Sequence, residues 1–257
     1  MLLYFVPMRI EFEHAQQRYH ADLSKTIDIS IPLMAGEDRL EAWYVDPIRI
    51  EPVRGEGFVG AVAQGGSVNF RNIYFNPHGH GTHTECMGHI TEKVHSVNEH
   101  FQTFHMPATL VTLEPESRTI DGEEDLVITA QMIPSVDTRA LIIRTSPNKP
   151  SKLTKHYSST NPPYMLPEAM EKVVSMGVEH LLIDLPSVDR EVDGGKLLCH
   201  HLFWQIPEAP RTQATITELI YVPDEVEDGL YLMNLQTAPF ENDASPSRPV
   251  LFRMMPI

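Results

Sequence analysis

The chain has 257 residues, of which 42% are hydrophobic and 21% charged, so it is long enough for a large core and is neither disordered nor fibrous. Its 20 basic and 35 acidic residues give a formal net charge of −15, which disfavours a nucleic-acid partner because such a surface repels phosphates. No apolar run approaches the ~20 residues of a membrane span, and the presence of only two cysteines excludes a disulfide framework and favours a reducing compartment, the cytoplasm.

Short apolar runs alternate with helical patterns along the chain, which favours an α/β or an α+β fold. The first 24 residues are predicted to be a structured extension and not a signal peptide, because Pro7 interrupts the apolar start and no small-residue cleavage site follows. Segments rich in branched and aromatic residues predict strands, bounded by Pro, Gly or Asn. In chain order these are residues 26–32, 67–75, 109–113, 140–145, 180–185, 215–222, 230–235 and 249–254.

The clearest predicted helix covers residues 167–176, with Pro167 in its first turn, Met170 and Val173 on one face, and Gly177 at its end. It joins strands 140–145 and 180–185 in a strand–helix–strand unit. A second helix is predicted over residues 125–133 and a short one near Gly195. The polar, proline-rich segment 146–163 is predicted to be a long surface loop. We therefore expect residues 1–257 to form a single β-rich α/β domain.

The densest cluster of reactive side chains lies at residues 76–90, directly after a predicted strand. It contains four histidines and a glutamate, separated by glycines: His78, His80, His83, Glu85 and His89. Imidazoles and carboxylates are ligands that suit Zn, Mn or Fe, and glycines let the backbone turn tightly enough to bring them together. His83 and Glu85 share one face of an extended segment because they are two positions apart. The cluster therefore predicts a metal site.

This segment resembles the signature of the cyclase-like metal-dependent hydrolase family, which includes bacterial kynurenine formamidase and isatin hydrolase. The family pattern is H-x-G-T-H-x-D-x-P-x-H, and here the run HGTH at residues 80–83 is followed by Glu85 and His89, with Met87 in the place of the proline. Other stretches resemble further family segments, namely KTIDISIPL (25–33), LLIDLPSVDR (181–190), CHHLFW (199–204) and ITELIYV (216–222). The resemblance covers most of residues 25–251 and implies the family's swivelling β/β/α fold and a binuclear metal site.

Carried over residue by residue, the resemblance implies metal binding by His83 and by Glu85, which replaces the family's bridging Asp. The family's first histidine lies four positions before the second, where this chain has Gly79. The Pro-His pair that carries it in the family matches the pair ending at His78, which implies one extra residue in this loop. We therefore expect His78 to be the ligand, with His80 as the alternative.

The remaining ligands implied by the resemblance lie in the C-terminal half of the chain, at His200 and Glu218. His201 competes with His200, because adjacent residues on a helix point about 100° apart and only one can face the metal. His89 matches the family's catalytic histidine and is expected to act as a general acid and base. The alternatives for His89 are a fifth metal ligand or a buried hydrogen-bonding residue.

Four other residues near these positions have weaker claims to a role in the site. Cys86 and Cys199 neighbour the proposed ligands, and thiolates bind zinc well, but we expect ordinary burial for both. Asp184 and Asp189 are candidates either to support a ligand through a hydrogen bond or to cap loops.

The resemblance implies a metal-dependent hydrolase that cleaves a C–N bond of a small amide, formamide or cyclic amide, as arylformamidases do, with a metal-activated water. Zinc is the expected ion, bound as one or two ions, and manganese and iron are the alternatives. Another hypothesis is a metal-binding member of the same fold without catalysis, acting as a binding or regulatory module. A third is a subunit whose main role is assembly. The expected partners are a small-molecule substrate and further copies of the chain, as a homodimer or homotetramer, with no nucleic acid and no membrane.

Overall fold

The computed structural model describes residues 8–257, so the part of the predicted N-terminal extension at residues 1–7 lies outside the described residues. The strands in chain order are β1 (Arg9–His14), β2 (Gln17–Asp22), β3 (Ile27–Asp28), β4 (Arg49–Pro52), β5 (Arg54–Gly55), β6 (Phe58–Val59), β7 (Arg71–Tyr74), β8 (His83–Glu85), β9 (His105–Leu113), β10 (Glu116–Ile120), β11 (Glu123–Ile128), β12 (Ala140–Thr145), β13 (Tyr164–Met165), β14 (His180–Ile183), β15 (Thr215–Glu218), β16 (Gly229–Asn234), β17 (Ala244–Pro246), β18 (Val250–Arg253) and β19 (Met255–Pro256). The α-helices are α1 (Pro77–His80), α2 (Val97–His100), α3 (Pro167–Ser175) and α4 (Leu198–Trp204), and 3-10 helices cover Val62–Gln64, Met87–Ile90 and Pro150–Thr154.

A nine-stranded mixed sheet forms the centre of the molecule, in the order β17-β8-β15-β14-β12-β9-β16-β18-β3. The four strands β9, β12, β14 and β15 are parallel to one another, and the outer strands are antiparallel. The parallel strands are buried on both faces, which explains why β12 and β14 are almost continuously apolar. The mixed α/β, mainly β architecture confirms the predicted fold class.

The two faces of this sheet are covered differently. On one face, Leu181 and Ile183 of β14 pack with the apolar side chains of α3 and α4 in the largest core cluster. On the other face, Leu182 packs with Phe101 and with residues of β9 and β16. The predicted unit of two parallel strands joined by a helix is confirmed, because β12 and β14 are adjacent and parallel and α3 lies between them in the chain.

The prediction of a helix at residues 125–133 is wrong. Residues up to Ile128 belong to β11, which pairs antiparallel with β10 and parallel with β13. Asp125 is buried on this strand, where its carboxylate accepts a hydrogen bond from the Tyr164 hydroxyl at 2.7 Å and lies 3.0 Å from the Arg190 guanidinium. The branched side chains of residues 126–128 pack better on a pleated sheet than on a helix. The contacts of Asp125 with Tyr164 and Arg190, which are distant in sequence, then determine that this segment is a strand.

The strand predicted at 140–145 is confirmed at both ends as β12, and the other predicted strands are present with shifted ends. The segment at 26–32 has only β3 and an isolated bridge at Ser30, and of 67–75 only β7 is a strand. The predicted helix at 167–176 is confirmed as α3, and the short helix expected near Gly195 begins at Leu198. The predicted loop at 146–163 contains the 3-10 helix Pro150–Thr154. In the N-terminal extension, β1 and β2 form a hairpin that pairs with β19.

Residues 49–74, which we call the arm, form an exposed extension before α1. Its strands β4 and β7 pair with each other, and β5 and β6 form a small hairpin between them. Seven large apolar side chains of the arm are exposed, namely Ile50, Phe58, Val62, Val68, Phe70, Ile73 and Tyr74.

None of the helices within residues 8–257 is long and apolar enough to cross a membrane.

Candidate metal centre

A tight turn ahead of β8 brings His78 beside His83. The Asn76 side chain accepts hydrogen bonds from the backbone N–H groups of His78 and Gly79, at 2.9 and 3.2 Å, and so begins the single turn of α1. Gly79 packs against the Ala42 carbonyl with no room for a Cβ atom. As a result, the rings of His78 and His83 lie 5.1 Å apart, centroid to centroid.

The pairing of β8 with β15 places carboxylates opposite histidines inside the sheet. His83 and Glu85 are two positions apart on β8, so their side chains point to the same face of the sheet, and both are fully buried. The register pairs His83 with Glu218, so the His83 Nε2 atom lies 3.5 Å from a Glu218 carboxylate oxygen. Strand β15 therefore supplies the second carboxylate of the site from more than 130 residues further along the chain.

Helix α4 brings His200 to the same point, and Asp189 holds it there. The Asp189 carboxylate accepts hydrogen bonds from the backbone N–H groups of Cys199 and His200 and from the His200 Nδ1 atom, the last at 2.6 Å. The other ring nitrogen, Nε2, lies 3.2 Å from Glu85 Oε1 and 3.9 Å from Glu218 Oε1. Residues from three elements thus surround one buried point.

Hydrogen bonds at Nδ1 fix the orientation of the His83 and His200 rings. Nδ1–H of His83 donates to the Gly81 carbonyl at 3.0 Å, as Nδ1–H of His200 donates to Asp189. Nε2 then faces the Glu218 carboxylate in His83 and the Glu85 carboxylate in His200. A neutral ring directs a lone pair at that carboxylate, and a protonated ring directs an N–H group at it. The buried atoms His83 Nε2 and Glu85 Oε2 have no hydrogen-bond partner among the described residues. Lone pairs and carboxylate oxygens that face one another in the core require a cation between them.

The electrostatics of the site agree with this requirement for positive charge. Burial raises the pKa of Glu85, but the charge of His89 and the contacts with His200 and His78 lower it well below the ordinary value. Burial lowers the pKa of His200, but Asp189 and the carboxylates of Glu85 and Glu218 raise it more strongly, to about 10. The carboxylates therefore stabilise any cation at this point, a proton or a metal ion.

His89 lies at the open side of the centre, next to Asp243. The His89 Nδ1 atom is 3.3 Å from Asp243 Oδ2, and the His89 side chain is 31% exposed. His78 also contacts Asp243, with its Nε2 atom 2.9 Å from the same oxygen. Burial alone would raise the pKa of Asp243, but its hydrogen bonds to His78 and His89 hold that pKa well below the ordinary value.

Asp243 is a site residue that sequence reasoning missed. It directly precedes β17, which pairs with β8 so that Ala244 lies opposite Glu85. No motif of the N-terminal half points to it, because the contact depends on strand pairing over a long separation in sequence. Of the two aspartates considered as supporting residues, Asp189 contacts His200, whereas Asp184 binds Thr145 and Lys152 instead.

The alternative ligands lie outside this cluster. His80 has both ring nitrogens occupied, since Nδ1 accepts a hydrogen bond from the Asn76 backbone and Nε2 donates to the Asp46 carbonyl. His201 lines a groove between α3 and α4 instead of the centre. The Cys86 and Cys199 thiols donate to backbone carbonyls, and burial raises the pKa of each thiol.

The donor atoms of the centre fit a divalent metal. Three overlapping groups have their nitrogen and oxygen atoms within 4.8 Å of one another, namely His78–His83–Glu85, Glu85–His89–His200 and His78–His89–Asp243. Glu85 belongs to two of the groups, so it is the residue that connects them. Imidazole and carboxylate donors together suit Zn, Mn or Fe.

Comparison with known protein families identifies the family to which most of the chain corresponds. The family model described as "Putative cyclase", the Cyclase family, matches residues 21–190. No curated protein sequence matches the chain.

Several solved structures have the same fold over most of their length. A predicted metal-dependent hydrolase from Bacillus stearothermophilus aligns with a TM-score of 0.59 and 17% identity, over 89% of this chain and 98% of that one. Isatin hydrolase A from Labrenzia aggregata aligns with a TM-score of 0.62 and 15% identity, over 89% and 93% of the two chains. A structure described as a novel cyclase aligns with a TM-score of 0.61 and 12% identity, over 89% and 87%.

Proposed function

The chain belongs to the Cyclase family, and from this membership and the centre described above we propose that it is a metal-dependent hydrolase. Its reaction would be cleavage of the C–N bond of a small amide, formamide or cyclic amide. The fold shared with an isatin hydrolase supports this substrate class. The substrate would enter from the side where His78, His89 and Asp243 are partly exposed.

The proposed metal ligands are His83, Glu85, His200 and Glu218 in the buried part of the centre, with His78 beside them. They would hold one or two ions, with zinc first and manganese or iron as alternatives. When bound, such ions lower the pKa of water and polarise a carbonyl oxygen. Asp189 fixes the tautomer of His200, so that its Nε2 atom is the free donor to a metal.

His89 is the proposed proton carrier. Its Nδ1 atom faces Asp243, so an Nδ1–H that donates to this carboxylate leaves Nε2 free to accept a proton from water. The ring then returns that proton to the leaving nitrogen, which requires a histidine at the open side of the centre. The partial exposure of His89 meets this requirement.

The observation that carries the proposal is the orientation of the His83 and His200 rings. Each ring is held through Nδ1 and directs Nε2 at a buried carboxylate, an arrangement that two neutral imidazoles and two glutamates do not favour without a cation. Glu85 joins the two rings, because its carboxylate oxygens belong to one group of close donor atoms with His83 and to another with His200.

Metal analysis of the purified protein tests the centre first. We expect at least one equivalent of Zn, Mn or Fe per chain, lost in His83→Ala and kept in His156→Ala, a half-exposed histidine outside the cluster. A wild-type chain that binds no divalent metal would overturn the proposal.

A hydrolysis screen then tests the reaction. We expect turnover of a compound among aryl formamides and isatins in the presence of added Zn or Mn, and none with His83→Ala. A chain that binds metal but hydrolyses none of these classes would favour the alternative of a binding or regulatory module.

A further inference from the structure

A second cleft lies at the amino ends of the parallel strands, outside the metal centre. Its volume is about 510 Å³, which is sufficient for a small metabolite. Its polar lining comes from the residues that begin β12, β14 and β15 and from the end of α2. The side chains that the argument uses are those of Thr103, Arg139, Glu179, His180, Arg211 and Thr212.

This cleft is separate from the metal centre because the two lie on opposite faces of the sheet. Side chains alternate along a strand, so His180 shares the face of Leu182, which packs in the cluster with Phe101. Glu218 shares the face of Ile216, which packs with α3 and α4. Moreover, His180 lies opposite Thr215, at the beginning of β15, whereas Glu218 is at its end.

His180 is a buried polar side chain with an unused hydrogen-bonding atom. The residue is 2% exposed, its Nδ1 atom bonds to the Thr215 hydroxyl at 2.9 Å, and the Phe101 ring packs against it. Its Nε2 atom is buried and has no hydrogen-bond partner among the described residues. Leaving such an atom unpaired costs free energy, so a ligand that supplies a partner would be favoured.

The charges around His180 make the cleft locally positive in an acidic protein. Arg139 and Arg211 carry two positive charges and Glu179 one negative charge, whereas the whole chain has a net charge of −15. Arg211 is held in place because its guanidinium donates to the backbone carbonyls of Val178 and Phe203. The Arg139 guanidinium pairs with Glu179 at the rim.

We propose that this cleft binds a small oxyanion, a carboxylate or phosphate group, between Arg139, Arg211 and the Nε2–H group of His180. The hydroxyls of Thr103 and Thr212 supply further donors in the lining. Guanidinium groups are the preferred partners of such anions, because they offer several N–H donors in a fixed plane. A ring that accepts at Nδ1 from the Thr215 hydroxyl carries its proton on Nε2, which is the atom that needs a partner.

NMR of the protein labelled with 15N-histidine tests the proposal, with inorganic phosphate as the probe and succinate in a second titration. We expect the His180 ring signals to shift and saturate in the millimolar range. We expect Arg139→Gln to weaken this binding about tenfold, since it removes a charge-assisted hydrogen bond. The two titrations distinguish a preference for phosphate from a preference for carboxylate.

Arg118→Gln is the matched control, because Arg118 also pairs with a glutamate near the surface, with 56% of its side chain exposed against 51% for Arg139. A His180 signal that neither anion moves would overturn the proposal. So would an equal effect of the two arginine substitutions, or binding seen only at the histidines of the metal centre. A thermal unfolding curve for each variant verifies that it is folded.

Discussion

At the scale of single residues, Asp189 is the support on which the His200 ring depends. Its carboxylate accepts one ring N–H and two backbone N–H groups at the start of α4. We expect Asp189→Asn to lower the metal affinity about 10- to 100-fold, because an amide no longer selects the tautomer with a free Nε2 atom. Competition with a chromogenic chelator measures this affinity.

Asp193→Asn serves as the control for that substitution, because Asp193 also binds backbone N–H groups just before α4 but does not contact His200. Equal metal affinities in the two variants would show that Asp189 has no specific role at the centre.

A substitution of His89 distinguishes the loss of catalysis from the loss of metal binding. We expect His89→Ala to reduce turnover by about 10²- to 10⁴-fold, the usual contribution of a general acid or base, while the metal content stays that of the wild type. His105→Ala, at an exposed position outside the cluster, should retain full activity. Turnover within about tenfold of the wild type would contradict the proton-carrier role.

His180 makes the stability of the protein depend on pH. Burial lowers the pKa of His180 from 6.5 to about 4, with Glu179 acting against this shift and Arg139 and Arg211 adding to it. Because the unfolded chain binds the proton more tightly, the stabilisation is complete above pH 6.5 and is lost as the pH falls towards 4.

We therefore expect the free energy of unfolding to fall on the order of 1–3 kcal/mol more in the wild type than in His180→Gln between neutral and acidic pH. Urea unfolding at a series of pH values measures the difference. Parallel pH profiles for the two proteins would show that His180 does not titrate in this range.

At the scale of elements, α1 depends on a glycine for its position. A Cβ atom on Gly79 would lie 2.8 Å from both the Ala42 carbonyl oxygen and a Val45 methyl group. We expect Gly79→Ala to destabilise the protein by about 1–3 kcal/mol, as overpacking does, and to lower metal binding by displacing His78. Gly55→Ala should change neither, because a Cβ there meets nothing within 4 Å.

Sequence patterns correctly predict the elements whose conformation is determined by residues close to them in the chain. The buried strand β14 and the helix α3 follow from apolar runs and from the proline and glycine that bound the helix. The helix prediction for residues 125–133 fails because the partners of this segment are distant in sequence. The ion pair of Asp125 with Arg190 and the pairing of β11 with β13 both involve residues more than 35 positions away. A single sequence contains no local sign of such partners.

The residues of the metal centre likewise divide into those that are close together in sequence and those that are distant. His78, His83, Glu85 and His89 lie close together in sequence, so their spacing reveals them. His200 and Glu218 were assigned only through the resemblance of separate stretches to a family. Asp243 lies outside all of these motifs and becomes visible only when β17 pairs with β8.

At the scale of the whole molecule, the arm is the surface where we propose that two copies meet. It carries three arginines and two glutamates, a net charge of +1, whereas the rest of the chain has 17 basic and 33 acidic residues, a net charge of −16. Two-stranded ribbons are marginally stable alone in water, and clustered exposed apolar side chains mark interfaces. Contact through the arm brings two strongly acidic molecules together with the least repulsion.

We expect the wild type to sediment as a dimer or tetramer and the double variant Phe70→Ser/Ile73→Ser to sediment as a smaller species. Both side chains are more than half exposed, so their replacement should leave the fold intact. Val94→Ser is the control, because Val94 is 83% exposed and lies outside the arm. A monomeric wild type, or an unchanged double variant, would contradict this prediction.

The position of Asp243 beside β17 has a consequence for biogenesis. A ribosome makes His78 165 residues before Asp243, whose carboxylate contacts His78 and His89. A nascent chain that has not reached β17 therefore lacks the carboxylate that holds the His78 and His89 rings at the open side of the centre.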